Sequence, residues 1–405
     1  MKNKRIVFLL TFIIILIHAL GLFDAINDKI LENFFILNKQ KGLSPYVVII
    51  EIDDKSINRI GNWPWPRKVY VELLNEIKKY PSVIGFVLSF TDLTLSEEDN
   101  TLYDILQSTN NIVLASKYTF KDFNNLTLAV PEKSIFPNVA QGHCLLDYSK
   151  KGVVVSIQPE KKYPAFSLAI LDIFLKSNNK VLFSSSLKPL IEGLRNNKTS
   201  YTTNEHILID YRRTPKQFKH YSFVDILNKT VNLDELKDKI VLIGITDKYK
   251  ANTYVTPFTG SWTKTKSSTA VELQAQIIDS MINYRNLKEC PILILNIISI
   301  LITIIFFILI KNKSIILQGT YLIIFILLIC SADFTLFKFF ALWLPPAFPL
   351  ALLILSFGLS EYFTSTKIDK ALIDAINTLQ NDNKIPLKKI STDIISKVNS
   401  LTSLL

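Results

Sequence analysis

The sequence predicts a mixed α/β domain, with a largely parallel sheet and helices, joined to four transmembrane α-helices. Three observations carry this expectation. Of 405 residues, 49% are hydrophobic, more than a soluble chain of this size usually carries. The apolar residues concentrate in four long stretches. Between the first and the second of these, strand-like and helix-like patterns alternate, which implies parallel strands joined by crossover helices.

Residues 6–22 read IVFLLTFIIILIHALGL without a charge, and residues 291–310, 315–332 and 339–357 form the other apolar stretches. Each approaches the roughly 20 residues that cross a hydrocarbon core, the third being a little short. Buried core helices are the alternative, but such helices seldom lack charges over so long a run. Cytoplasmic flanks attract Lys and Arg. Lys2, Lys4 and Arg5 precede the first stretch, Lys311 and Lys313 fill the turn after the second, and Lys367 and Lys370 follow the fourth. One orientation satisfies all of them. Residues 1–5 lie inside, 23–289 outside, and 360–405 form a short cytoplasmic tail on a multi-pass protein of the bacterial inner (plasma) membrane. A cleaved signal peptide is the rival reading of residues 6–22. A long apolar core and no small-x-small cleavage site favour an uncleaved anchor.

Within the outer region, residues 46–52 (YVVIIEI) are a β-branched run that reads as a buried strand ending at Asp53-Asp54. Residues 67–80 then place Val69, Leu73, Leu74 and Ile77 on one helical face. Residues 83–90 are strand-like, 100–107 helical and 112–115 strand-like. Residues 123–141 show no clear period. A helix is expected over 164–176, strands over 207–211 and 240–244, and a long helix over 270–283, with antiparallel additions to the sheet.

The net charge of +11 does not point to nucleic acid. The Lys and Arg residues are scattered among acids, and basic membrane flanks with a solvated face account for them. Cys144, Cys290 and Cys330 are the three cysteines. The last two belong to a membrane edge and a membrane helix, so no disulfide framework is expected.

The run Val47 to Ser56, followed by Gly61-Asn62-Trp63-Pro64-Trp65-Pro66-Arg67, resembles the type-two CHASE domain. That family is an extracellular sensory module associated with cyclases and histidine kinases. The Trp-Pro-Trp-Pro-Arg run is its most specific part. Gly85-Phe86, Phe90, Asp99, Gly142-His143 and Gly152-Val153-Val154 continue the series. Leu208 to Arg212, Ser222-Phe223, Lys239 to Gly244, Thr256-Pro257 and Val271 to Gln276 extend it across nearly the whole outer region. Val87 and Val155-Ser156 stand where the family often has an Asp and an Arg, so a paired interaction or a pocket differs here. The resemblance implies a sensory domain with three membrane helices after it.

Eight residues are candidates for ligand binding. Asp53 and Asp54 end the first strand, where ligands of open α/β sheets gather. Asp92 and Asp247, with Asp99, can approach the same edge and bind a hard cation such as Ca²⁺ or a cationic ligand. Capping of a turn by Asp53 or Asp54 is the plainer reading. Trp63 and Trp65 offer either a recognition surface stiffened by two prolines or a loop whose rings bury against the next helix. Arg67 and Arg212 offer either an anion clamp or ordinary ion pairs.

His143, His206 and His220 lack metal-ligand spacing, so no metal is expected. No catalytic residue and no cofactor are expected either, since Gly244-Ile245-Thr246-Asp247 lacks the spacing of a phosphate loop and no nucleophile elbow appears.

Relatives of this family commonly carry a cyclase or kinase after the last helix. Residues 360–405 are too few for such a core, so the chain is expected not to be an enzyme. A helix after Pro386 would align Leu387, Ile390, Ile394, Val398 and Leu401 in one apolar stripe. That stripe asks for a cytoplasmic signalling protein, a second copy of the chain, or membrane lipid. Three functions therefore stand open: a receptor for a small-molecule or cell-envelope ligand that signals in trans, a catalytically silent remnant of a membrane-bound cyclase or kinase, and a structural protein binding the cell envelope.

Overall fold

The computed structural model describes residues 13–18, 20–88, 90, 97–116, 119–122, 125–127, 139–144, 146–148, 154–157, 164–177, 207–260, 267–282 and 287–381. Two compact units result. One is Leu31–Leu287, and the other combines Met1–Ile30 with Lys288–Leu405.

Helix α1 (Asp24–Leu37) contributes Leu31, Phe34 and Phe35 to the first unit. Strand β1 (Val47–Ile52) follows, then the short α2 (Asp54–Ile60) and α3 (Arg67–Ile77). The pattern continues with β2 (Val83–Phe86), α4 (Glu97–Ser108) and β3 (Ile112–Ser116). A small antiparallel pair, β4 (Thr119–Asp122) and β5 (Asn125–Thr127), precedes β6 (Ala140–His143). Then come β7 (Leu146–Tyr148), β8 (Val154–Ile157), α5 (Phe166–Ser177) and β9 (Ile207–Leu208). The unit closes with β10 (Lys219–Ser222), α6 (Phe223–Leu227), β11 (Ile240–Ile245), the pair β12 (Thr253–Tyr254) and β13 (Ser268–Thr269), and α7 (Ala270–Ile282).

Six strands form one sheet in the order β10-β1-β11-β2-β3-β6, and every pairing in it is parallel. β1 and β11 lie inside it, with Val47 opposite Ile240 and Ile52 opposite Ile245. Their near-continuous Val and Ile runs suit strands covered on both faces. On one face, Val48, Ile50 and Ile52 meet Tyr70, Leu73 and Leu74 of α3, Leu102 of α4 and Phe223 of α6. α5 and α7 pack on the other face. Tight packing there explains two glycines. A Cβ on Gly244 would lie 2.6 Å from Cβ of Val271, and one on Gly142 would meet the backbone of Phe166. β7, β8 and β9 form a separate antiparallel sheet. The fold is therefore mixed α/β with a largely parallel sheet and antiparallel additions.

Differences from the expected elements are local. The strand read over 83–90 ends at Phe86. The run over 207–211 pairs only at Ile207–Leu208, and Asp210 beyond it forms an ion pair with Arg212. Sequence patterning missed α2 and β10, which are too short to show a period.

In the second unit, β14 (Lys288–Glu289) leads to α8 (Ile292–Ile310), α9 (Ile315–Thr335), β15 (Leu342–Trp343) and α10 (Ala347–Asn381). Among the described residues three helices are long and apolar enough to cross a membrane, Ile292–Ile310, Ile315–Phe340 and Ala347–Asp374. A fourth span is not shown. Residues 13–18 are helical, while the rest of 6–18 and Ala19 lie outside the described residues. The last span corrects the stretch read over 339–357. Phe339 and Phe340 close the preceding helix in a π-turn, Ala341 adopts φ 52°, and α10 starts only after Pro345-Pro346. Proline cannot continue the preceding helix but suits the start of the next, and apolarity alone does not register that break. The stripe from Leu387 to Leu401 lies outside the described residues.

Candidate ligand-binding edge

The carboxyl ends of β1 and β11 lie side by side, and three of the eight candidate residues gather there. Thr246 and Asp247 both donate backbone N–H groups to Ile52 O, at 3.1 and 3.3 Å. This brings the turn after β11 against Asp53 and Asp54.

Asp53 is consumed by structure. Its Oδ1 accepts from the Ser56 N–H at 2.9 Å, the Ser56 hydroxyl at 2.6 Å and the Ser222 hydroxyl at 2.9 Å. It is the N-cap of α2, the role Asp fills well. The Ser56 hydroxyl in turn accepts from Val224 N–H at 3.1 Å in the first turn of α6. One carboxylate thereby organises two helix starts.

Asp54 points elsewhere. It is exposed and its carboxyl hydrogen-bonds to Asp247, which holds its pKa above the ordinary carboxylate value. Slight burial and the charges of Asp247 and Asp53 push the same way, against Lys248. The same hydrogen bond holds Asp247 below its ordinary value, helped by the N–H groups of Tyr249 and Lys250 and the Lys250 charge. Those two N–H groups reach Asp247 Oδ1 at 2.9 and 3.0 Å. Two neighbouring carboxyls disfavour each other's ionised forms, and a cation placed between them would relieve that repulsion. Among the described residues no group of three or more His, Cys, Asp or Glu has the arrangement of a metal site.

The other candidates lie apart from this pair. Trp65 is 4% exposed, its indole N–H donates to Gly61 O at 2.8 Å, and its ring lies 5.0 Å from Phe223 and 5.3 Å from Trp63. The Trp65 ring belongs to the core, with Trp63 half-buried at its rim. Arg67 Nε bonds Asp99 Oδ1 at 3.1 Å, and its guanidinium lies 5.0 Å over the Phe90 ring. Arg212 Nη2 bonds Asp210 Oδ2 at 2.5 Å. Both arginines are in intradomain ion pairs. Asp92 lies outside the described residues.

Two polar clusters escaped the sequence reading. Arg213 Nη1 meets Asp279 Oδ2 at 2.6 Å, and the Ser44 hydroxyl donates to Asp279 Oδ1 at 2.6 Å. Asp279 is 1% and Arg213 8% exposed. Separately, His220 Nδ1 lies 2.6 Å from Glu51 Oε1, and Nε2 lies 3.0 Å from Pro215 O. Burial pulls the imidazole pKa down, but Glu51 and the Pro215 carbonyl outweigh it and hold the value above the ordinary one. A charged residue inside the apolar β1 run was the signal for the second cluster, because such a residue needs a partner.

A parallel-sheet domain in the same chain as three long apolar helices defines a membrane protein with a folded domain outside its candidate spans. The CHASE2 domain model matches residues 7–310, most of the chain, and the chain belongs to that family. CHASE2 is an extracellular sensory domain. This is therefore a membrane protein with an extracellular sensory domain and three candidate membrane-spanning helices. No curated protein and no solved structure matches it.

Proposed function

We propose that the chain is a receptor that performs no catalysis itself, binds a cationic ligand at the Asp54–Asp247 edge, and signals in trans to a cytoplasmic partner. The Asp54–Asp247 carboxyl pair carries the ligand reading. It sits at the carboxyl ends of adjacent parallel strands, where such sheets bind ligands, and it pairs an exposed carboxyl, Asp54, with one that its own turn holds in place, Asp247. An organic amine suits two carboxylates better than a metal, which would ask for more oxygen ligands. Signalling in trans is supported by α10. Its 35 residues span about 52 Å against a hydrocarbon core of about 30 Å, which leaves several helical turns for a partner. The basic flanks at Lys2, Lys4, Arg5, Lys311 and Lys313 support an inner-membrane protein with both termini cytoplasmic.

Thermal melting of the full chain in nanodiscs, with spermidine, putrescine and Ca²⁺ as separate probes, tests the site. A bound amine at 100 times its Kd adds about 2.7 kcal/mol. The wild type should show a saturable rise in Tm with an amine. Asp54→Asn and Asp247→Asn should need at least about tenfold more amine for the same rise, the cost of one charge-assisted hydrogen bond. A wild-type Tm unmoved by every probe, or variants that respond as the wild type does, would reject the cationic-ligand reading.

A further inference from the structure

In the membrane unit, four separate stretches of chain are hydrogen-bonded at the end that follows directly on the sensory domain in sequence. Lys288 N–H donates to Ala341 O at 2.9 Å and Cys290 N–H to Trp343 O at 2.8 Å. The strand entering α8 is thereby paired in parallel with the strand that leaves α9. Asp333, in the last turn of α9 and 3% exposed, accepts from Leu344 N–H at 3.1 Å. Asn27 of α1, 8% exposed, accepts with Oδ1 from Ala347 N–H at 3.0 Å. The His18 ring stacks on Phe348 with centroids 4.1 Å apart.

The bond from Ala347 stands out because α10 cannot cap itself. The first N–H groups of a helix have no partner within it, and a Ser, Thr, Asp or Asn just ahead usually supplies one. Here Pro345 and Pro346 occupy those places and carry no side-chain acceptor, while Pro349 has no N–H to satisfy. Leu350 N–H already reaches Pro346 O at 3.1 Å. The cap for Ala347 is therefore borrowed from another helix, more than 300 residues away in sequence. That lending helix is continuous. Asn27 belongs to the membrane unit, whereas the same α1 carries Leu31, Phe34 and Phe35 into the sensory unit, where Phe35 meets Tyr211 edge-on at 5.7 Å.

We propose that Asn27 is a mechanical joint, through which loosening or displacement of α1 is passed to the start of α10, the helix that runs on past Asp374. Asn27 is thus a positioning residue for transmission and not a ligand contact. The joint is a property of the membrane unit and needs no ligand, so it stands or falls separately from the Asp54–Asp247 reading.

Hydrogen exchange of the full chain in nanodiscs tests it, read on the peptide that contains Ala347 and Phe348, with amides of β1 and β11 as the control for folding. Asn27→Ala should speed exchange there about fivefold, the factor that one lost N-cap is worth. Asn27→Asp, which keeps an acceptor and suits a helix N-terminus, should stay within about twofold of the wild type. The deciding variant is Ala25→Gly, which loosens α1 by a similar factor without touching α10's cap. It should speed exchange at the start of α10 in the wild type and add nothing in the Asn27→Ala background. If Ala25→Gly leaves those amides at the wild-type rate, Asn27 is a local cap and the joint is rejected. An additive effect in the double variant would show a route that bypasses Asn27, and rejects it equally.

Discussion

Asp279→Ala is the most informative perturbation of the sensory unit. The side chain is 1% exposed on α7 and receives two bonds of 2.6 Å, one from Arg213 and one from Ser44. Removing it leaves the Arg213 guanidinium, in a residue only 8% exposed, without its counter-charge. Breaking one side of a buried pair costs about 3–5 kcal/mol. The backbone around Arg213 cannot swing it out to water freely, since Gln276 Nε2 donates to Arg213 O at 2.9 Å while Ser268 holds Gln276 Oε1 at 2.9 Å. For a domain of this size each kcal/mol moves Tm by about 2–4 °C, so the melting temperature of the full chain in detergent should fall by about 6–20 °C. Tryptophan fluorescence suits the assay, because Trp63 and Trp65 belong to the same unit's core. Arg213→Met combined with Asp279→Ala should recover part of the loss, because an apolar side chain of similar length leaves no stranded charge. A fall below about 2 °C for Asp279→Ala, or a double variant as unstable as the sum of the singles, would refute the reasoning.

Two further outcomes follow from the same packing. Gly142→Ala puts a methyl onto the backbone of Phe166 at the start of α5, which cannot yield as a side chain would, and should cost at least about 1–3 kcal/mol; Gly319→Ala, with nothing within 4 Å, should leave Tm unchanged or slightly raised. The raised pKa of His220 contributes stability that is fully present below the ordinary imidazole value of about 6.5 and is lost as pH rises through the raised one. Tm measured from pH 5.5 to 8.5 should therefore fall more in the wild type than in Glu51→Gln, and parallel profiles would show that the pair does not titrate in that window.

The two inner strands β1 and β11 were legible because both are short runs rich in Val and Ile, and no helix pattern imitates Val47–Ile52 or Ile240–Ile245. Helix α3 was legible because Val69, Leu73, Leu74 and Ile77 keep one face over just more than two turns. The short β10 was not, since Lys219-His220-Tyr221-Ser222 has neither a β-branched run nor an apolar alternation, and its place in the sheet comes from pairing with β1. The start of α10 was hidden for a related reason. Hydropathy averages across Phe339 to Phe348 and sees continuous apolarity, whereas the chain there turns through Ala341 and two prolines.

The candidate site shows the same division at the scale of two neighbours. Asp53 and Asp54 share chemistry, position at a strand end and resemblance to the family run, and sequence patterning did not separate them. What separates them is the direction of the chain at the helix start. Asp53 holds extended backbone at the N-cap, which aims its carboxylate back at the free N–H groups of the first turn. Asp54, one residue further, is already helical and projects outward, toward Asp247 at the end of the adjacent strand. Strand pairing of β1 with β11 is long-range, so the partner of Asp54 is invisible locally. The cap is local and could be read from Asp53 and Ser56 alone. Asp247 is also held by its own turn through Oδ1, but the exposed Asp54 beside it is not, and that free neighbour, which a cation can relieve, is why the ligand reading rests on Asp54 and Asp247.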